Sequence, residues 1–186
     1  MESVSTDRPG VEQRRFAPGA PPAETHVNVP QPEEIGAREK EDAMGAYLMM
    51  FAAWGAGLPL PILNLIAASI YFFLNKKKSA FVAFHSFQSL LTQIPITLLN
   101  AGLIAWGVGI VFTDWSLSRT FAVYLVFTLM WNLLYMIFSV VACIQARKGR
   151  FYYFWVFGRI AFARYYGPGA ARRAQADVRN SPPRGF

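Results

Sequence analysis

Residues 120–145 read TFAVYLVFTLMWNLLYMIFSVVACIQ, a run of 26 residues without a charged residue, Gly or Pro. An α-helix needs about 20 consecutive apolar residues to cross the hydrocarbon core of a bilayer. A second long apolar stretch, residues 79–112, comes before it and contains Pro95. The two stretches predict a pair of membrane-spanning helices joined by a short polar connection at residues 113–119.

Two shorter apolar stretches, residues 43–56 and 61–74, lie on the N-terminal side. Each would form about 21 Å of helix, which is shorter than a hydrocarbon core of about 30 Å. The sequence Gly-Leu-Pro-Leu-Pro at 57–61 separates them. Two short tilted spanning helices, a re-entrant hairpin and one kinked span all remain open, and this strong helix breaker favours two helices. The fold class predicted is an all-α integral membrane protein with a four-helix bundle over residues 43–147.

Composition excludes an ordinary soluble domain for this region. Between residues 43 and 146 the chain has five charged residues, namely Lys76, Lys77, Lys78, Asp114 and Arg119. Soluble domains are about a quarter charged. Residues 1–42 are acidic and rich in Pro, and residues 167–186 are basic, so both are expected to be disordered tails. The acidic tail lacks an apolar segment and fits neither a secretory signal nor a transit peptide.

The positions of Lys and Arg predict how the protein is oriented. Cytoplasmic ends of membrane helices carry an excess of these residues. One side of the predicted bundle carries Lys76, Lys77, Lys78, Arg147, Lys148 and Arg150, and the opposite side carries Arg119. Both termini are therefore expected in the cytoplasm. The net charge is +7, and because the positive charges flank apolar segments, they indicate anionic lipid headgroups at the cytoplasmic face as the partner, and not nucleic acid.

Residues 148–166 are predicted to lie along the membrane surface. Nine of the 16 residues from Phe151 to Tyr166 are aromatic, and Arg159 and Arg164 lie among them. Aromatic and basic side chains together are typical of the headgroup level. A fifth span is disfavoured because Arg159 would lie near its centre.

Polar residues within the apolar stretches predict a seam between the second, third and fourth helices. At 100° per residue, those of the third stretch fall on one face of a helix. The seam residues are Asn64, Asn75, Ser89, Thr92, Gln93, Asn100, Thr128, Asn132 and Ser139. The seam is interpreted either as hydrogen bonding between helices, worth about 0.6 kcal/mol per pair, or as a hydrophilic path.

The sequence contains no enzyme motif and no candidate metal site. It lacks a His-Glu-x-x-His motif, a phosphate-binding loop and paired carboxylates in its apolar region. Cys143 is the one cysteine, and His26 lies in the N-terminal tail, far from His85. His85 follows Lys78 by seven residues, so it is interpreted as an anchor at the headgroup boundary, with a proton relay as the alternative. No catalytic residue and no cofactor is predicted.

The block NKKKSAFVAFHSFQSLLTQ, residues 75–93, resembles a small bacterial membrane family of unknown function. That family is related to the twenty-kilodalton subunit of Tic, the import translocon of the plastid inner envelope. The Pro-x-Pro break before it and the basic, aromatic sequence after residue 146 fit the same resemblance, which covers residues 43–160. It implies a four-helix domain in a bacterial cytoplasmic membrane, anchored through Phe81, Phe84, His85 and Gln88 of the third helix.

Two functional hypotheses remain after these observations. The leading one is a multi-pass membrane interaction or assembly protein, which acts with membrane-protein partners or as a homo-oligomer. The alternative, raised by the resemblance, is a translocon-like component that moves protein or a small solute along the polar seam.

Overall fold

The structure is a computed structural model that describes residues 29–52, 61–113, 115 and 117–167. These residues form five α-helices and one turn of 3₁₀ helix, with no β-strand among them. The helices are α1 Ala37–Leu48, α2 Pro61–Asn75, α3 Ala80–Phe112, α4 Arg119–Arg147 and α5 Trp155–Tyr165, and the 3₁₀ turn Met49–Phe51 continues α1. The Gly-Leu-Pro-Leu break at 57–60 lies outside the described residues, as do residues 1–28 and 168–186 of the predicted tails.

The two long apolar stretches form α3 and α4, and both helices are long and apolar enough to cross a membrane. Each begins at a serine that caps its first turn. Ser79 Oγ accepts a hydrogen bond from the backbone N–H of Val82, and Ser118 Oγ accepts one from Phe121, both at 3.2 Å. Such caps satisfy backbone donors that the first turn leaves without a partner. The prediction of an all-helical chain with two long apolar helices is confirmed.

The start of α1 overlaps the segment predicted as an acidic tail. The helix begins at Ala37, where Glu39 Oε2 accepts a hydrogen bond from the backbone N–H of Gly36 at 3.0 Å. This bond holds the first turn in the manner of a capping box. The same helix buries Ala43 and Tyr47 while its charged residues stay at the surface. A count of charges over the segment misses this one-sided arrangement.

Gly149 turns the chain from α4 back toward α3. Its φ is +72°, which is the left-handed region that favours glycine. The backbone N–H of Gly149 donates to Ala146 and that of Arg150 donates to Gln145, both at 2.9 Å. This pair of bonds is a Schellman motif, which ends α4 and satisfies its last carbonyls.

One end of the α3–α4 pair is surrounded by other helices, and the other end is not. α1 packs against α3 and α4, while α2 and α5 pack against α3. Of the 13 buried residues of α3, 12 lie between Phe81 and Thr97, and three of the four in α4 lie between Ser139 and Ala146. We call this the thick end. Residues 98–112 of α3 and 119–132 of α4 form the thin end, where buried residues are few.

One narrow face of α4, formed by a stripe of small and polar residues, packs against the neighbouring helices. The stripe residues are separated alternately by four and three positions, and they are Thr128, Asn132, Tyr135, Ser139, Ala142 and Ala146. A repeat of 3.5 residues keeps the same stripe toward a packed partner along a left-handed pair. Small and polar residues in the stripe let the backbones of membrane helices approach closely.

Candidate functional site

Gln88 of α3 holds the extended segment 151–154 against the helix. Its Nε2 donates to the backbone carbonyl of Tyr152 at 2.8 Å, and its Oε1 accepts from the backbone N–H of Phe154 at 3.3 Å. The Gln88 side chain is fully buried. Both ends of its amide therefore bind backbone groups that would otherwise be costly to bury.

Tyr47 of α1 joins Gln88 to His85. The Tyr47 hydroxyl accepts from Gln88 Nε2 at 2.8 Å and lies 2.9 Å from His85 Nδ1. Tyr47 and His85 share one hydrogen bond, and the imidazole tautomer determines which of the two donates. Tyr47, His85 and Gln88 thus form one buried chain of hydrogen bonds between α1 and α3, which we call the Tyr47–His85–Gln88 network.

The His85 ring lies in an aromatic cage. The ring centroid of Phe81 is 4.5 Å from that of His85, and the centroids of Phe84 and Phe151 are 4.9 and 5.9 Å away. His85 Nε2 has no hydrogen-bond partner in the described part of the chain. The four residues predicted as anchors of the third helix, Phe81, Phe84, His85 and Gln88, are all buried at the thick end.

Small residues allow α1 to approach α3 and α4 closely. Ser89 Oγ donates to the backbone carbonyl of Ala46 at 2.7 Å. Ala43 of α1 and Ala142 of α4 have no exposed surface. A hydrogen bond from a side chain directly to a helix backbone requires such small neighbours.

A second polar cluster joins α3 to α4. The amides of Asn100 and Asn132 exchange two hydrogen bonds, and the Tyr124 hydroxyl donates to the carbonyl of Leu99 at 2.9 Å. Closer to the thick end, Thr92 Oγ1 donates to the carbonyl of Ser89 in its own helix at 2.8 Å, and the buried Ser139 Oγ has no hydrogen-bond partner among the described residues. Three of the nine predicted seam residues therefore bond to another helix. Asn100 and Asn132 bond to each other, and Ser89 bonds to α1.

The remaining seam residues do not complete a continuous polar surface. Asn75 Nδ2 donates to the carbonyl of Tyr71 in its own helix, and Asn64 lies partly buried near the start of α2. Gln93 and Thr128 are buried, and their side-chain polar atoms have no partner among the described residues. The seam predicted between the second, third and fourth helices is therefore divided. The polar residues of α3 meet α1 and α4, whereas α2 packs on α3 with Phe72 against Phe87.

Sequence reasoning missed the partners that complete this site. Tyr47 was not singled out, and the segment 151–154 was predicted to lie at the headgroups, although Phe151 packs inside the aromatic cage. Gly158 was missed too. A Cβ at this position would lie 2.7 Å from Tyr153 Cα and 2.8 Å from Gln88 Oε1. A single glycine within an otherwise aromatic helix was the available signal for this close approach.

Charged and phenolic groups gather around the thick end. Lys78 Nζ and Asp42 Oδ2 form an ion pair at 2.8 Å, and Lys76 Nζ lies 4.5 Å from the centroid of the Phe73 ring. Burial raises the pKa of the Tyr153 and Tyr166 hydroxyls, so both remain protonated at neutral pH. The described residues contain no group of three or more His, Cys, Asp or Glu side chains that could hold a metal ion.

Comparison with known proteins gives one match. The family model described as the magnetosome magnetite crystal formation protein family (MamF/MmsF) matches residues 40–161, a range that covers most of the five helices. No curated protein and no solved structure matches the chain.

The resemblance to the Tic-related family is wrong, because the block that suggested it lies inside the region matched by this different family. Phe81, Phe84, His85 and Gln88 are instead explained by packing. They pack α3 against α1 and against the segment that leads into α5.

Proposed function

Because the chain belongs to the magnetosome magnetite crystal formation protein family, we propose that it is a multi-pass protein of the magnetosome membrane. In this proposal it takes part in the formation of magnetite crystals. The family match carries the proposal, and the two long apolar helices support the membrane location.

The distribution of apolar surface supports insertion into a bilayer. α4 exposes large apolar side chains along most of its length, including Phe127, Met130, Trp131, Leu133 and Phe138. The same helix buries the polar residues Thr128 and Ser139. Lipid solvates apolar side chains, and polar groups in a membrane helix turn toward other helices.

The proposed membrane domain has four helices, of which α3 and α4 span the bilayer and α1 and α2 form a re-entrant hairpin. Phe72 of α2 lies against Phe87 of α3, with ring centroids 5.4 Å apart. The rise of a helix then puts Pro61, the first residue of α2, about 17 Å further along, near residue 98 of α3. α3 continues to Phe112, which is about 21 Å beyond that level. In this proposal both termini lie in the cytoplasm, and the six basic residues at the thick end support that orientation.

The hydrogen-bonded state of the polar groups supports an assembly role. Asn100 bonds to Asn132, and Tyr47 bonds to His85 and Gln88, between helices. A path for a solute would need a continuous row of available polar groups. In α2, Ser69 and Asn75 bond within their own helix, and the Tyr71 hydroxyl donates to the carbonyl of Asp42. We therefore place the protein among interaction and assembly proteins, acting with membrane partners or with further copies of itself.

Gene deletion in a magnetite-forming bacterium tests the function directly. We expect the number or the size of the magnetite crystals to change in electron micrographs of the deletion strain, and the full-length gene to restore them. The protein should also remain in the membrane of purified magnetosomes after an alkaline carbonate wash. Crystals unchanged by the deletion would contradict the proposed role, and loss of the protein in the wash would contradict membrane insertion.

Cysteine labelling separates the assembly role from a solute path. Single cysteines replace Gln88, Thr92 or Asn132 in a C143A background, and a water-soluble maleimide is added to intact vesicles. We expect all three positions to be unreactive, and a cysteine at the exposed Leu117 serves as the reactive control. Labelling at all three positions would support a water-filled path instead.

A further inference from the structure

We infer that this protein partitions into strongly curved membrane, with its thick end in the convex leaflet. The inference rests on the membrane insertion in the proposed function and adds to it the kind of lipid surface that the protein selects. The observation behind it is the difference in width between the two ends of the α3–α4 pair.

Five helices contribute to the thick end. Tyr47 of α1 contacts His85, Phe72 of α2 contacts Phe87, and Tyr165 of α5 lies 5.9 Å from Phe87 between ring centroids. These contacts all fall within two turns of α3, so α1, α2 and α5 surround the same short section of that helix.

Within the described residues, the thin end is a two-helix hairpin. Ring contacts join Trp106 of α3 to Phe121 and Tyr124 of α4, at 5.7 and 6.0 Å between centroids. Hydrogen bonds likewise join α3 to α4. The described part of α2 begins at Pro61, near the level of residue 98, and α1 ends at Leu48, close to the level of Ser89. Over the remaining length of about 21 Å of α3, the described residues supply only two helices.

α5 widens the cytoplasmic end further because one face of it is apolar and exposed. Gly158 and Ala161 are buried toward α3, while Trp155, Val156 and Ile160 project outward, and Trp155 is 91% exposed. Arg159 and Arg164 lie among them at the surface. Exposed apolar and aromatic side chains with Arg among them are typical of the headgroup level of a membrane.

A tapered protein fits a curved bilayer better than a flat one. In the convex leaflet of a small vesicle the headgroups are spread apart, and inserted side chains fill the gaps between them. The basic thick end is cytoplasmic in our proposal, and the convex leaflet of a vesicle inside a cell faces the cytoplasm. The proposed orientation and the taper therefore both favour the membrane of a small vesicle inside the cell.

Single-vesicle fluorescence tests the inference on the full chain. The protein carries one dye at its N-terminus and is reconstituted into vesicles of a zwitterionic phospholipid mixed with an anionic one. After imaging, a membrane-impermeant quencher identifies the dye that faces out, so only protein with its thick end outward is counted. We expect protein density per lipid area to be at least about threefold higher on vesicles of about 40 nm diameter than on those of about 400 nm.

Two matched variants test whether the preference for curved vesicles depends on the exposed face of α5 and on the difference in width between the two ends. W155S/V156S/I160S removes the exposed apolar face at the thick end, and V111S/F112S/L117S removes three exposed apolar side chains at the thin end. We expect the first variant to lower the density ratio to below about twofold and the second to leave it unchanged or higher. Unchanged helical content by circular dichroism shows that each variant is folded.

Vesicle flotation after a carbonate wash keeps the two possible failures apart. Protein that floats with the lipid but shows the same density at every diameter would overturn the curvature inference and leave the proposed function standing. Protein that does not float would contradict membrane insertion itself. If W155S/V156S/I160S leaves the ratio of protein density between small and large vesicles unchanged, the exposed face of α5 does not cause the preference for curved membrane.

Discussion

The side-chain amides of Asn100 in α3 and Asn132 in α4 exchange two hydrogen bonds, with Nδ2–Oδ1 distances of 3.0 and 3.1 Å. Each amide also donates to its own helix, Asn100 to the carbonyl of Ile96 at 2.9 Å and Asn132 to that of Thr128 at 2.8 Å. The pair lies where the thin end begins, and it fixes the register of α3 against α4 at the point where α1 and α2 no longer flank them.

Mutation of this pair should show coupling between its members. We expect N100L or N132L alone to lower the free energy of unfolding by about 1 kcal/mol, because the remaining amide loses its partner across the interface. The double variant N100L/N132L should cost less than the sum of the two, with a coupling energy of about 0.5–1.5 kcal/mol in a double-mutant cycle measured by unfolding in mixed micelles. L98A and M130A alter two exposed residues and serve as the control pair; strict additivity for the asparagines would contradict the prediction.

Loss of Gln88 should release the segment that leads into α5. Q88L keeps the size of the side chain but leaves the carbonyl of Tyr152 and the N–H of Phe154 without their partner, at a cost of about 2–3 kcal/mol. We expect faster proteolytic cleavage after residue 150 in detergent, measured by mass spectrometry. The control is S86A, since Ser86 Oγ donates only to carbonyls of its own helix. Equal cleavage rates for the two variants would show that the segment is held by other contacts.

Two glycine substitutions should have opposite effects on stability. G158A places a Cβ 2.7 Å from Tyr153 Cα, a backbone atom that cannot move away easily, so we expect a loss of about 1–3 kcal/mol. G107A is the matched control within a helix, because no atom lies within 4 Å of its new Cβ. Alanine there should be neutral or stabilising by up to about 1 kcal/mol. Thermal unfolding in detergent measures both, and a neutral G158A would contradict the packing of α5 on α3.

Removal of basic residues from the thick end should disturb orientation. The variant replaces Lys76, Lys77, Arg147, Lys148 and Arg150 by Gln and keeps Lys78, which pairs with Asp42. Of the six basic residues nearest the ends of α2 and α4, only Lys78 then remains, with Arg159 and Arg164 of α5 on the same side, and we expect part of the protein to take the reverse orientation. Protease accessibility of an N-terminal tag in intact cells, before and after permeabilisation, measures the mixture. R119Q removes the single charge of the opposite side and should leave the N-terminus entirely cytoplasmic; mixing in both variants would contradict the charge argument.

The helices could be predicted closely from sequence, because their signals are local. Long apolar runs bounded by charged residues, Lys78 and Asp114 for α3 and Arg119 and Arg147 for α4, predict the ends of both helices to within about two residues. The polar face of α3 could also be found, since the spacing of Ser89, Thr92 and Asn100 around a helix depends on the chain alone.

The partners of these polar residues could not be predicted, because they depend on packing between distant segments. Gln88 is bonded to residue 47 on one side and to residues 152 and 154 on the other, and no periodicity within α3 encodes that choice. The aromatic residues 151–154 predict a position at the membrane surface, but not that the Phe151 ring packs against Phe81 and Phe84. The resemblance to the Tic-related family was wrong for a related reason. It depended on Phe81, Phe84, His85 and Gln88, and the contacts of these residues are explained by helix packing.

The bonds that Gln88 makes to residues 152 and 154 end on backbone atoms. Every residue type at position 152 presents the same carbonyl, and every type but proline at position 154 presents the same N–H. Evolution can therefore change the side chain at position 152 without a matching change at position 88. Among relatives of this chain, glutamine at position 88 should persist while the residue at position 152 varies, so pairwise covariation would overlook this contact between α3 and the segment before α5.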